Sequence, residues 1–97
     1  MEFDHLLLQK NTRNGTFELV VEGQTSFIHY REEGKTVHLL HTEVPREMEG
    51  KGVAGALVEK TFCYLQKNDL RIKPLCSYVQ SYLKRHPEWE HLVEKAR

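Results

Sequence analysis

Between Leu39 and Val58 the chain changes its period, and that change limits what can be built around it. Up to Pro45 the residues read as a strand, and from Gly52 onward apolar residues recur at helical spacing. A short, mostly polar turn, Arg46 to Gly50, joins the two. A helix entered through Gly50-Lys51-Gly52-Val53-Ala54-Gly55 presents N–H groups that have no partner inside the helix, together with the positive end of its dipole. Glycines at such an entry remove the Cβ atoms that would hold a phosphate at a distance. The segment is therefore suited to an anion, and the diphosphate of a cofactor is the natural candidate.

Three phosphate-binding motifs compete for this segment. Gly50-x-Gly52-x-x-Gly55 matches the dinucleotide fingerprint in form, but that motif needs a strand directly before it and an acidic residue closing the next strand. Here a polar turn intervenes, and Asp69 opens the following strand instead of closing it. A Walker loop is excluded because no glycine lies five residues before Gly50-Lys51 and no Ser or Thr follows the lysine. A kinase-type glycine loop would continue as a strand, whereas Val53-Ala54-Gly55-Ala56-Leu57-Val58 continues as a helix.

The rest of the chain supplies a frame. From Thr16 to Glu22, Phe17, Leu19 and Val21 alternate with polar positions, Val20 excepted, as in a half-buried strand. Gly23-Gln24 reads as a turn, and Phe27, Ile28 and Tyr30 begin a second strand. Glu33-Gly34-Lys35 turns the chain into a third, Thr36 to Val44, so that the three form an antiparallel meander. His5 to Lys10 is a candidate extra strand at the edge, which would make Thr36 to Val44 strand 4. From Gly52 to Lys67, Val53, Leu57, Val58, Phe62 and Leu65 form one helical stripe, and Cys63 is read as packing within that helix. Leu70 and Ile72 mark a short strand 5 that stops at Pro74. Tyr78, Val79, Tyr82 and Leu83 mark a second helix ended by Pro87, and Trp89, Leu92, Val93 and Ala96 a short C-terminal one. The order ββββαβαα predicts one α+β domain over residues 1–97, with strands 4 and 5 as parallel neighbours across the helical crossover.

Composition narrows the function classes. Fourteen basic and fourteen acidic residues cancel, and no basic stripe is visible, which argues against nucleic acid as the main partner. No apolar run approaches the ~20 residues that span a bilayer, so no membrane partner is expected. Cys63 and Cys76 make neither a disulfide framework nor a zinc site, and no metal is expected. With no secretory signal in Met1-Glu2-Phe3-Asp4-His5, a reducing cytoplasm is the expected location.

The segment Glu49-Gly50-Lys51-Gly52-Val53-Ala54 resembles the acyl-CoA-binding motif of the GNAT superfamily of N-acetyltransferases, Arg/Gln-x-x-Gly-x-Gly/Ala. His41-Thr42-Glu43-Val44-Pro45, Pro74-Leu75-Cys76-Ser77-Tyr78-Val79 and Tyr82-Leu83-Lys84-Arg85-His86-Pro87-Glu88 look like the compact, single-domain branch of that family. The likeness runs from about Phe17 onward. The resemblance implies acetyl-CoA as cofactor, an amine as acceptor, and strands 4 and 5 splayed so that the pantetheine arm lies between them. It implies cofactor contacts from Gly50, Lys51, Gly52, Val53 and Ala54, from Thr42 and Val44 through strand-like pairing, and from Tyr82 and Arg85. Glu49 stands where the motif has a basic or amide side chain; it is expected to turn outward and leave the binding to the backbone of residues 50 to 54.

Cys76 and His41 are the candidate catalytic residues. Cys76 falls between a strand and a helix N-terminus, where the dipole favours thiolate; it is read as acyl acceptor, general acid or a buried corner residue. A histidine side chain can accept a proton near neutral pH, so His41 is a candidate base, with Glu43 on the same strand face to orient it or replace it. Tyr78 and Tyr82 share a helical face, and either is a candidate proton donor to the leaving sulfur or a core aromatic. The expected activity is acetyl transfer from acetyl-CoA to an amine, by a monomer or homodimer. The alternative is an acyl-CoA-binding or protein-interaction module without turnover, and a third reading is a dinucleotide binder.

Overall fold

The computed structural model describes residues 3–95; Ala96, which closes the expected C-terminal stripe, lies outside them. Five strands, β1 (Gln9–Asn11), β2 (Thr16–Val21), β3 (Gln24–Glu33), β4 (Thr36–Glu43) and β5 (Arg71–Pro74), lie in one sheet in chain order. The first four are antiparallel, and β4 and β5 are parallel across the helix α1 (Val53–Lys67). A second helix, α2 (Ser77–Arg85), follows β5. The α+β architecture with a parallel strand 4–strand 5 pair is the one the sequence predicts.

The β2–β3 turn comprises Glu22 and Gly23, both at positive φ (52° and 76°), between the paired residues Val21 and Gln24. Such a two-residue turn matches the twist of the flanking strands, and it places the turn one residue earlier than Gly23-Gln24. The edge strand is shorter and later than His5 to Lys10. Only Gln9–Asn11 pairs with β2, while Leu6 and Leu8 pack against the core and Leu7 is 83% exposed. Leu6 and Leu8, with Ala56, line a groove against α1, so the leucines serve the helix and not the sheet.

The sheet has two unlike faces. Phe17, Leu19, Ile28, Val37, Leu39 and Ile72 line one, each at most 1% exposed, and α1 covers it with Val53, Leu57, Val58, Phe62 and Leu65. Burying such side chains stabilises by about 1.5–3 kcal/mol each. Cys63, one position beyond Phe62, falls off this stripe and is exposed, correcting its reading as a packing residue. On the opposite face Val20, Thr25, His29 and Arg31 are exposed.

Two further details position the site. In the β3–β4 ladder Tyr30 pairs with Leu39 and His29 with His41, so Leu40 is an extra residue on β4. A bulge of this kind bends its strand and reverses its alternation. The C-terminal stripe forms a 3-10 helix, Pro87–Leu92, in which Trp89 packs edge-on to Phe62 with ring centroids 5.5 Å apart. Val93 has left the helix and bridges in parallel to Ile72. Proline at the first position starts this segment, but it is too short to continue as an α-helix.

Candidate active site

Strands β4 and β5 part company early. Their ladder runs from Thr36–Arg71 to Leu39–Pro74, and β4 then continues to Glu43 paired with β3 on one side and, among the described residues, with no strand on the other. The carbonyl of Leu39 closes the pairing by accepting the N–H groups of both Leu75 and Cys76, each at 3.0 Å. This pins Cys76 as the residue preceding α2, where it is 7% exposed. Its Sγ lies 3.3 Å from Thr42 Oγ1. Thr42 pairs with the fully buried Ile28 and so belongs to the helix-covered face.

His41 and Glu43 lie on the other face, as the bulge at Leu40 requires. His41 Nε2 is 3.2 Å from Glu43 Oε1, and both side chains are well exposed, at 60% and 62%. A carboxylate only accepts hydrogen bonds, so His41 Nε2 is the donor in this contact, and in a neutral ring Nδ1 is then the nitrogen with the lone pair. The two expected catalytic residues are thus set on opposite sides of one strand. Cys76 is joined to Thr42, and His41 to Glu43.

The start of α1 faces a cleft of about 350 Å³ lined by Val44, Met48, Gly50, Gly52, Ala54 and Tyr78, among others. Gly50 and Gly52 adopt φ of 79° and 83°, a region open to glycine at little cost. The first helical bond runs from Ala56 N–H to Gly52 O, and no side chain caps the helix. The N–H groups of Val53, Ala54 and Gly55 therefore have no partner within the helix, and its first turn carries no acid. Glu49 is exposed but still contributes to the cleft lining, and Lys51 is exposed.

The two tyrosines separate. Tyr82 is 5% exposed, lies edge-on to Phe62 and stacks on His86, and burial pushes its hydroxyl up to about 12. Tyr78 is half-buried and lines the cleft, with the Arg85 guanidinium 5.9 Å from its ring centroid. Arg85 is also held by a 2.8 Å hydrogen bond to Ser81 Oγ. A spacing of four places both tyrosines on one stripe but cannot say which edge of it meets the cleft. The Thr42–Cys76 contact joins residues distant in sequence, and no local pattern announces it.

Comparison with known proteins gives a consistent result. Residues 16–92 match the model of a family described as GCN5-related N-acetyl-transferase. Over 58 residues, 60% of this chain, the sequence is 38% identical to Protein NATD1 of Xenopus tropicalis and 36% identical to Protein NATD1 of Homo sapiens. The matched segment spans about half of those relatives, 53% and 51% of their lengths. The fold is similar to the solution structure of a GCN5-like protein from Staphylococcus aureus, with a TM-score of 0.70 over 97% of this chain and 93% of that one, at 19% identity.

Proposed function

The chain belongs to the GCN5-related N-acetyl-transferase family, and from that premise we propose that it binds acetyl-CoA beside α1 and transfers the acetyl group to an amine. One observation carries the reading: β4 runs on to Glu43 after its ladder with β5 has ended, and it does so beside an uncapped, glycine-entered helix. The residues present suit the cofactor. Three N–H groups at the start of α1 are without helical partners, and a Cβ on Gly50 would meet nothing within 4 Å, so a diphosphate has room to approach. The unpaired edge of β4 near Thr42 and Val44 can accept the amide-bearing arm as a strand would. Arg85, above Tyr78, adds positive charge at the same cleft.

Acetyl-CoA, when bound, supplies an acyl group already activated as a thioester. The chain has to remove a proton from the incoming ammonium and return one to the departing sulfur. His41 Nδ1 is the base, with Glu43 orienting the ring and stabilising the imidazolium it becomes. On the opposite side of β4, the Cys76 thiol and the Thr42 hydroxyl form the donor pair for the sulfur. Tyr78 is the cleft tyrosine available for the same task. The base is reached from the open sheet face and the donors from the helix-covered one, so acceptor and cofactor approach from opposite sides.

The test is thermal unfolding with acetyl-CoA, CoA and NAD, each near saturation. A ligand at 100 times its Kd adds about 2.7 kcal/mol, and each kcal/mol moves the midpoint of a domain this size by roughly 4–8 °C. The expected result is a clear rise with both CoA species and none with NAD; no rise with acetyl-CoA overturns the proposal. The exposure of His41 and Glu43 favours one second reading, an acyl-CoA-binding module without turnover. Binding of acetyl-CoA with no acetyl transfer to any amine would select it.

A further inference from the structure

The register of the open face places an aromatic ring between two carboxylates. Glu18 of β2 pairs with Phe27 of β3, and Phe27 pairs with Glu43 of β4, so the three stand in one row across the sheet. Adjacent strands lie 4.7–4.9 Å apart, which sets the backbones of Glu18 and Glu43 about 10 Å apart. The next row holds His29 opposite His41, and the His29 ring lies edge-on to Phe27 with centroids 5.1 Å apart. Glu18 is fixed from below, because its Oε2 accepts hydrogen bonds from Thr16 Oγ1 at 2.7 Å and Asn11 Nδ2 at 3.1 Å. Both donors are neutral, so they aim the carboxylate without cancelling its charge.

Further along the strands the sign reverses. Arg31 pairs with His38, and His38 with Lys73, giving a row with two permanent cations two residues beyond the histidine pair on β3, with one carboxylate, Glu33, 3.2 Å from His38 Nε2 beside it. The open face is thus acidic and aromatic at the end where β4 leaves β5, and basic at the other. A cation that lies over Phe27 and against Glu18 meets attraction from the ring face and from the carboxylate. The same cation placed over Arg31 would be repelled.

We infer that this row reads the acceptor: its reacting amine goes to His41 and Glu43, while a second positive charge, about one row-length away, rests on Phe27 and Glu18. The inference builds on the proposed transferase reading and names its substrate class. Among the described residues, cavities of about 350–370 Å³ lie elsewhere, and Glu18, Phe27, His41 and Glu43 are outside their linings. Small-ligand sites are concave and bury most of their ligand, and this face is open. The occupant is therefore a basic segment of a polypeptide, a lysine with a cationic neighbour, which brings its own contact area.

The experiment uses the full chain with three probes: a short peptide with one lysine flanked by arginines, the same peptide with glutamine flanks, and spermidine. Peptide binding is followed by amide chemical shifts, a readout that needs no turnover, and acetyl transfer is followed in parallel with acetyl-CoA saturating. The basic peptide is expected to shift residues of the Glu18–Phe27–Glu43 row and to be used with a lower KM than the glutamine peptide. Glu18→Gln, whose amide oxygen can still accept from Thr16, is expected to raise that KM about two- to fivefold, as for one exposed ion pair. It should leave the KM for acetyl-CoA and the melting midpoint unchanged, and the KM difference should shrink at high salt. Equal use of both peptides, preference for spermidine, or shifts confined to other surfaces overturns the inference. If acetyl-CoA causes no thermal shift, the transferase reading falls by itself, and the peptide shift map still decides whether the row recognises cations.

Discussion

The hydroxyl of Thr42 and the thiol of Cys76 lie 3.3 Å apart where β4 and β5 separate. One comes from the strand that continues and the other from the residue just before the helix that replaces its neighbour. Thr42→Val keeps the shape and removes the hydroxyl, so it should cost about 0.5–1.5 kcal/mol in urea unfolding. Cys76→Ala should leave the acetyl-CoA thermal shift in place and lower kcat. An unchanged kcat in both variants would move the donor role to Tyr78.

His41→Gln should lower kcat by about 10²-fold or more, the scale of a lost general base. Steady-state kinetics should show this with the KM for acetyl-CoA unaltered, since His41 lies on the face away from α1. Equal losses in acetyl-CoA binding would instead place His41 on the cofactor side.

Two glycines in one helix entry should respond with opposite signs. Gly52→Ala forces a side chain into φ 83° and should destabilise by about 1–2 kcal/mol. Gly55 has helical backbone geometry, and an added Cβ there would meet Tyr78 and Tyr82 only at 3.7 and 3.9 Å, ordinary contact distances. Gly55→Ala should therefore stabilise the free protein by about 0.5–1 kcal/mol. Because Gly55 lines the cleft, calorimetric titration should show weaker acetyl-CoA binding by the same variant.

Glu49→Gln removes an exposed negative charge from the cleft that faces the start of α1. Acetyl-CoA affinity should rise about two- to fivefold, the worth of one charge beside a helix terminus. The gain should fade between low and high salt in the same titration.

Tyr82 gives the fold an alkaline limit. Burial holds its hydroxyl at about 12 against an ordinary 10, so the folded state keeps the proton after the unfolded chain has lost it. Its contribution is complete below pH 10 and declines as pH rises from there to 12, a loss of order 2–3 kcal/mol. Urea midpoints at pH 8 and pH 11 should converge in Tyr82→Phe relative to the unaltered chain.

The sequence announced those parts of the fold that rest on short periods. Val53, Leu57, Val58, Phe62 and Leu65 are all buried because helical spacing alone gathers them. The β4–β5 pairing followed from the handed crossover through α1. What stayed hidden depends on register. Leu6, Leu7 and Leu8 look like strand residues until the groove against α1 claims Leu6 and Leu8. Glu18, Phe27 and Glu43 are separated by intervals that mean nothing until three strands are aligned. The glycine-rich helix entry was legible as an uncapped helix start with N–H groups left over, whereas the separation of Tyr78 from Tyr82 depends on how α2 sits against α1.

Leu40 also has a bearing on how such a domain can change. As one unpaired residue in β4, it sets the phase of everything from His41 to Glu43. If it paired with His29 instead of bulging, strict alternation would exchange the two sides, turning Thr42 outward and His41 and Glu43 toward the helix. A one-residue slip of register would therefore invert the two sides of this strand with its composition untouched, so the arrangement is stored in the pairing of residues as much as in their identity.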